Sequence, residues 1–116
     1  MGELSDKIEP NEFIYYLLYY NGFFSNKYYA ISDKKLIKFD FNVYWQTPLS
    51  EIVGVGSPQH DGYSATLIIQ TFKETVKFDF GDSMDYDFYN ALRRALEDYT
   101  LQKKDVRALI YSLKIP

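Results

Sequence analysis

The side chains able to do chemistry are few in this sequence, and they are unevenly spread. There is one histidine, His60, and no cysteine. His60 stands beside Asp61 in Gly56-Ser-Pro-Gln-His-Asp-Gly62. A base there would need a held partner and a cleft, and a lone loop histidine is ordinarily solvated. Without cysteine there are no disulfides, thiolate metal ligands or cysteine nucleophile. Asp79, Asp82, Asp85 and Asp87 gather oxygen ligands of the type a hard cation takes. Their spacing does not match a calcium loop, and the start of a helix accounts for Asp82 to Asp87. Gly54-Val55-Gly56 is too short for a phosphate-binding fingerprint. No catalytic residue, metal ligand or cofactor is assigned, and the chain reads as a non-enzyme.

Binding chemistry is better supplied. Lys34, Lys35 and Lys38 form a small basic group that suits an acidic partner or anionic lipid headgroups, or is simply a solvated hairpin. The chain has 12 Tyr and 9 Phe. The tyrosines include the pairs Tyr15-Tyr16, Tyr19-Tyr20 and Tyr28-Tyr29. Neighbours in a strand point to opposite faces, so one of each pair is expected to point away from the core. Outward tyrosines on adjacent strands would make a contact surface, unless a helix or the tail covers them. Val106, Leu109, Ile110 and Leu113 fall at i, i+3, i+4 and i+7 among Lys103, Lys104, Arg107 and Lys114. That stripe needs a cover, either its own tyrosine face or a groove on another chain.

The elements that hold these residues follow from pattern. At 116 residues the chain fits one domain. Phe13 to Tyr20 is far too short to cross a bilayer, and residues 12–20 read as a strand ended by Asn21-Gly22, with a helix capped by Asn11 as the rival. Lys27 to Ile31 is a second strand. Ile37, Phe39, Phe41, Val43 and Trp45 then alternate with polar neighbours, as one bent strand or as two divided near Asp40 to Asn42. Leu49 to Val55 is a further strand, before the loop that carries His60. Ala65 to Phe72 and Val76 to Phe80 form a hairpin about Lys73-Glu74. Asp82-Ser83 offers an N-cap for a helix over about 84–99, with Phe88, Leu92, Ala95, Leu96 and Tyr99 on its apolar side. The apolar phase breaks over Thr100 to Lys104, which predicts a kink or a short second helix.

About seven antiparallel strands and a capped amphipathic helix resemble the bacterial pleckstrin-homology-like (PH-like) family. Tyr28-Tyr-Ala-Ile-Ser-Asp-Lys-Lys-Leu-Ile37 is similar to the family's aromatic-x-ϕ-Thr-Asp-x-Arg-ϕ-ϕ, with Ser32 for Thr and Lys35 for Arg. Pro48-Leu-Ser-Glu-Ile52 resembles its Pro-Leu-x-x-Ile, and Glu12 matches an acidic residue before the first strand. The resemblance implies a mainly β barrel or sandwich over residues 1–100, with 101–116 as a helical tail. It implies a scaffold for peptides, proteins or lipids, of a kind found in bacteria and phages. The first hairpin loop, Asn21 to Lys27, holds one lysine, where phosphoinositide binders carry several basic residues.

The net charge of −3 tells against nucleic acid, since counterion release wants a basic face. The start, Met1-Gly-Glu-Leu-Ser-Asp6, is acidic where a secretory signal is basic, so a cytoplasmic protein is expected. The leading expectation is an adaptor or inhibitor that binds a protein partner or itself. Tyr15, Tyr16, Tyr19, Tyr20, Tyr28, Tyr29 and the tail stripe would do the binding. The alternative is a membrane surface met through Lys34, Lys35, Lys38 and the basic tail.

Overall fold

The computed structural model describes residues 7–21, 26–40, 42–61, 64–80 and 86–114, with the backbone path alone for 20–21, 61, 64 and 103–114. Alternating apolar residues give β1 (Ile14–Asn21), β2 (Asn26–Ser32), β3 (Lys35–Asp40) and β4 (Val43–Pro48), an antiparallel meander that forms sheet 1. A 3-10 turn, Leu49–Glu51, leads into β5 (Ile52–Val55), β6 (Gln59–Asp61), β7 (Ser64–Thr71) and β8 (Thr75–Asp79), which form sheet 2. Val55 and Val76 both pair with Ile69, and Gln59 and Asp79 both pair with Thr66. β5 and β6 therefore lie along one side of β7, with β8 on the other. They fill the place of one strand, which reconciles eight segments with the seven-strand expectation.

Asn42 explains the divided run after Ile37. Its φ of 62° is left-handed, which asparagine tolerates, and it turns the chain between β3 and β4. The turn breaks the alternation: Ile37 and Phe39 belong to one face of sheet 1, Trp45 to the other, and Val43 is exposed. The stretch read as the His60 loop contains the short strand β6.

Helix α1 (Tyr86–Lys114) is a single element. The kink or second helix expected at Thr100 to Lys104 is replaced by continuous helix. Thr100 Oγ1 bonds the Leu96 carbonyl at 2.9 Å, and the following Leu, Gln and Lys residues all favour helix. A lost apolar phase frees a helix from its support without stopping the backbone. Asp87 lies in the first turn, while Asp82, Ser83 and Asp85 fall outside the described residues.

The barrel core lies between the sheets and under α1. Tyr29, Phe78, Phe80 and Phe88 meet there edge-on or tilted, with Ile31, Leu36, Leu67, Ile69 and Leu92 around them. Each such side chain contributes about 1.5–3 kcal/mol by leaving water. Along the outer edge of β8, the side chains of sheet 1 act as a clasp. Tyr29 Oη donates to Asp79 O at 2.7 Å and accepts from Asp79 N at 3.2 Å. Lys38 Nζ donates to Lys77 O at 2.7 Å, and Trp45 Nε1 to Glu74 Oε1 at 2.6 Å.

Candidate interaction surface

Register decides which side chains share a face. Tyr19 pairs with Tyr28, Tyr28 with Phe39, and Phe39 with Tyr44, so these four cross sheet 1 in one row. Leu17, Ala30, Ile37 and Gln46 form the next row. Both rows lie on the outer face, away from the barrel core. They build a second apolar cluster of Tyr28, Ala30 and Ile37 with Leu17, Phe39, Tyr44 and Ile8 around it. Tyr28 and Phe39 stack at 5.2 Å with 13° between their planes. Tyr19 is 43% exposed at one end of its row. Tyr44, at the other end, gives its hydroxyl hydrogen to Gln46 Oε1 at 2.9 Å. Burial, helped by Tyr28 and Glu12, pushes the Tyr44 hydroxyl pKa up.

The segment 7–12 lies over this face like a strap. Pro10 sits in a turn closed by Glu12 N to Glu9 O at 3.0 Å, and Glu12 Oε1 accepts from Glu9 N at 3.0 Å. The Glu12 side chain is wholly buried, with Lys35 Nζ 3.6 Å from Oε1 and the Ser32 hydroxyl donating to Oε2. Ser32 Oγ accepts from the amides of Lys34 and Lys35 at 3.1 and 3.0 Å. Asp33 Oδ1 accepts from Phe13 N at 3.0 Å. The Ser32-Asp33-x-Lys35 motif and Glu12 thus make a buckle that ties the strap to the β2–β3 turn.

Before the turn the hold is different. Lys34 Nζ reaches Glu9 Oε2 at 2.7 Å and Asn11 Oδ1 at 3.2 Å. Its hydrogen bond and charge hold the Glu9 carboxyl below the usual range, and Glu9 raises the lysine in return. Lys35 Nζ also bonds Lys7 O at 2.5 Å, Lys7 Nζ lies 4.8 Å over the Tyr44 ring, and Ile8 rests on the apolar cluster. The lysines singled out for lipid are therefore engaged within the fold: Lys34 and Lys35 on the strap, Lys38 in the β8 clasp.

Of the six tyrosines, Tyr19 is the one exposed among those whose side chains are described. Tyr28 and Tyr29 do face opposite sides, as alternation requires, yet both are buried. Tyr15 and Tyr16 depart from the expectation, because the register shift between Ile14 and Tyr16 breaks alternation and both pack on the barrel core. Tyr16 meets Phe88 edge-on at 6.0 Å. Tyr15 Oη donates to Asp98 Oδ2 at 2.6 Å, and that bond, with burial, pushes its pKa up to about 12. The side chains of Tyr20, Val106, Leu109, Ile110 and Leu113 lie outside the described residues, although the helix runs through the last four. Ile8, Phe39 and Tyr44 escaped the sequence reading. The outward parity of Tyr28 and the asparagine turn were the signals that pointed to the latter two.

His60 is exposed, its ring 6.3 Å from that of Tyr86. Asp79 pairs with Lys77 at 3.7 Å. Among the described residues no three His, Cys, Asp or Glu side chains come together as a metal site, and no helix is long and apolar enough to cross a membrane.

No family model and no curated protein sequence matches the chain. Solved structures do match. A DUF1696 family protein with a pleckstrin-homology domain from Shewanella loihica PV-4 superposes with a TM-score of 0.57 at 14% identity, over 84% of this chain and 90% of that one. A pleckstrin homology domain from Shewanella amazonensis SB2B gives 0.58 at 17% identity, over 84% and 82% of the two chains. At such identities the likeness speaks for architecture, and the architecture of this chain, two antiparallel sheets and a C-terminal helix, is that of the bacterial PH-like domains.

Proposed function

We propose that this chain is a non-catalytic interaction module that docks a protein partner on the aromatic outer face of sheet 1. One observation carries the reading: a second apolar cluster built outside the barrel core, where a half-solvated antiparallel sheet ordinarily shows polar residues. Tyrosine at its margin suits a docking face, because the ring adds contact area and the hydroxyl keeps a polar handle. Helix α1 is the second docking element. Where it leaves the sheets, Leu101 and Val53 are 55% and 49% exposed, and the stripe Val106, Leu109, Ile110 and Leu113 follows in sequence. The engagement of Lys34, Lys35 and Lys38 inside the fold takes support from the membrane-surface alternative.

A photo-crosslinking amino acid at Tyr19, compared with one at Phe72 on the β7–β8 turn, tests the reading in cells that express the protein. Phe72 is 75% exposed and belongs to the β7–β8 turn of sheet 2, so it reports chance encounters. A discrete adduct from position 19, absent from position 72 and weakened by truncation after Thr100, is expected. Equal labelling from both positions, or none from position 19, defeats the proposal.

A further inference from the structure

We infer that the strap is a built-in stand-in for the partner, and that the partner presents the same order of side chains: a cation, an aliphatic residue and an anion in succession. The inference rests on the docking reading above and adds the chemistry and control of that surface. Lys7, Ile8 and Glu9 show what the face accepts. Lys7 lies over the Tyr44 ring, Ile8 rests on the Tyr28, Ala30 and Ile37 cluster, and Glu9 pairs with Lys34.

The two ends of the strap are held unequally. The buckle at Glu12 and Phe13 is made of a buried carboxylate and backbone bonds, and it belongs to the fold. Among the described residues, the part before the turn is held by an ion pair whose side chains are 42% and 62% exposed, a lysine-to-carbonyl bond, the Lys7 cation over the Tyr44 ring and the Ile8 aliphatic contact. Exposed pairs of this kind hold weakly and are screened by salt. Between strap and sheet edge a cleft of about 200 Å³, lined by Glu9, Glu12, Lys34, Lys35, Gln46 and Pro48, interrupts the packing. Residues 7–9 can therefore lift about the Pro10 turn while the barrel stays folded. A partner segment of the same pattern then takes their place.

The test adds a blocked synthetic peptide of residues 7–13, Lys-Ile-Glu-Pro-Asn-Glu-Phe, to the full 15N-labelled chain and follows the amide spectrum. With Ile8→Asp in the chain, the peptide is expected to shift Tyr19, Tyr28, Phe39 and Tyr44 saturably. It should bind at least about tenfold more tightly than to the unsubstituted chain, whose tethered strap competes. Glu9→Gln in the chain, which weakens the strap and leaves both Ile8 and the receiving face intact, should give an intermediate gain, and a peptide carrying the same Ile8→Asp change should not bind. Shifts away from sheet 1, or equal affinity for all three chains, overturn the inference. So does collapse of the Ile8→Asp spectrum with no gain in Glu9→Gln, since residues 7–9 would then be permanent core. Peptide binding without a position-19 adduct keeps the strap and removes the partner; an adduct that the peptide does not compete away does the reverse.

Discussion

The outer faces of the two sheets are built on opposite plans. On sheet 2 the outward residues are Thr66, Ile68, Gln70, Thr75, Lys77 and Asp79, mostly exposed and joined by a surface ion pair. On sheet 1 the outward residues include Leu17, Tyr28, Ala30, Ile37, Phe39 and Tyr44, buried or half-buried under a strap. Sheet 2 follows the simple rule of one wet face, whereas sheet 1 is packed on both. The difference teaches that burial has two meanings in this domain. Inside the barrel it holds the fold together, and outside it marks a surface that the chain itself occupies.

Matched substitutions separate the two plans. Ile37→Ala on sheet 1 is expected to cost about 2–4 kcal/mol in urea unfolding, while Ile68→Ala on sheet 2 should stay within about 0.5 kcal/mol. Similar losses at both positions would erase the contrast. Lys35→Met strips the buried Glu12 carboxylate of its cation, and about 2–3 kcal/mol should go with it. Tyr29→Phe removes the hydroxyl that bridges Asp79, which should cost about 1–2 kcal/mol by the same assay.

Smaller effects appear with pH. The Tyr15 pKa is raised from 10.0 to about 12, so its bond to Asp98 stabilises fully below pH 10 and is lost as pH rises through 12. An absorbance titration should show a phenolate that forms near pH 12 and that Tyr15→Phe removes. Glu9 behaves oppositely: its pKa is lowered, so the pair with Lys34 stabilises above the ordinary carboxylate range and is lost as pH falls through the lowered value. The small difference in urea midpoint between the unsubstituted chain and Lys34→Met should therefore shrink on acidification.

The sequence made the architecture legible where periodicity was clean. The β7–β8 hairpin, the helix face of Phe88, Leu92 and Ala95, and the turn pair Ser32-Asp33 were all read from pattern. The candidate surface was half legible. Tyrosine pairs announced that something lay outside the core, but a register shift at Ile14 to Tyr16 turned two of them inward. Strand parity cannot foresee such a shift. The strap was hidden for another reason: its contacts join Ile8 and Glu9 to residues twenty or more positions away, which no local pattern encodes. Lys34 and Lys35 looked like a free basic patch because their acceptors lie in that distant segment.

The clasp on β8 has a consequence for how the molecule meets its own copies in a crowded solution. A sheet ends in unpaired amides and carbonyls, and a bare edge invites another chain to continue the ladder into an aggregate. Here Asp79 N and O and Lys77 O are already satisfied by Tyr29 and Lys38. That end of the edge is guarded against templated growth by side chains that also join the two sheets, so whatever loosens the barrel opens a site for misassembly at the same moment.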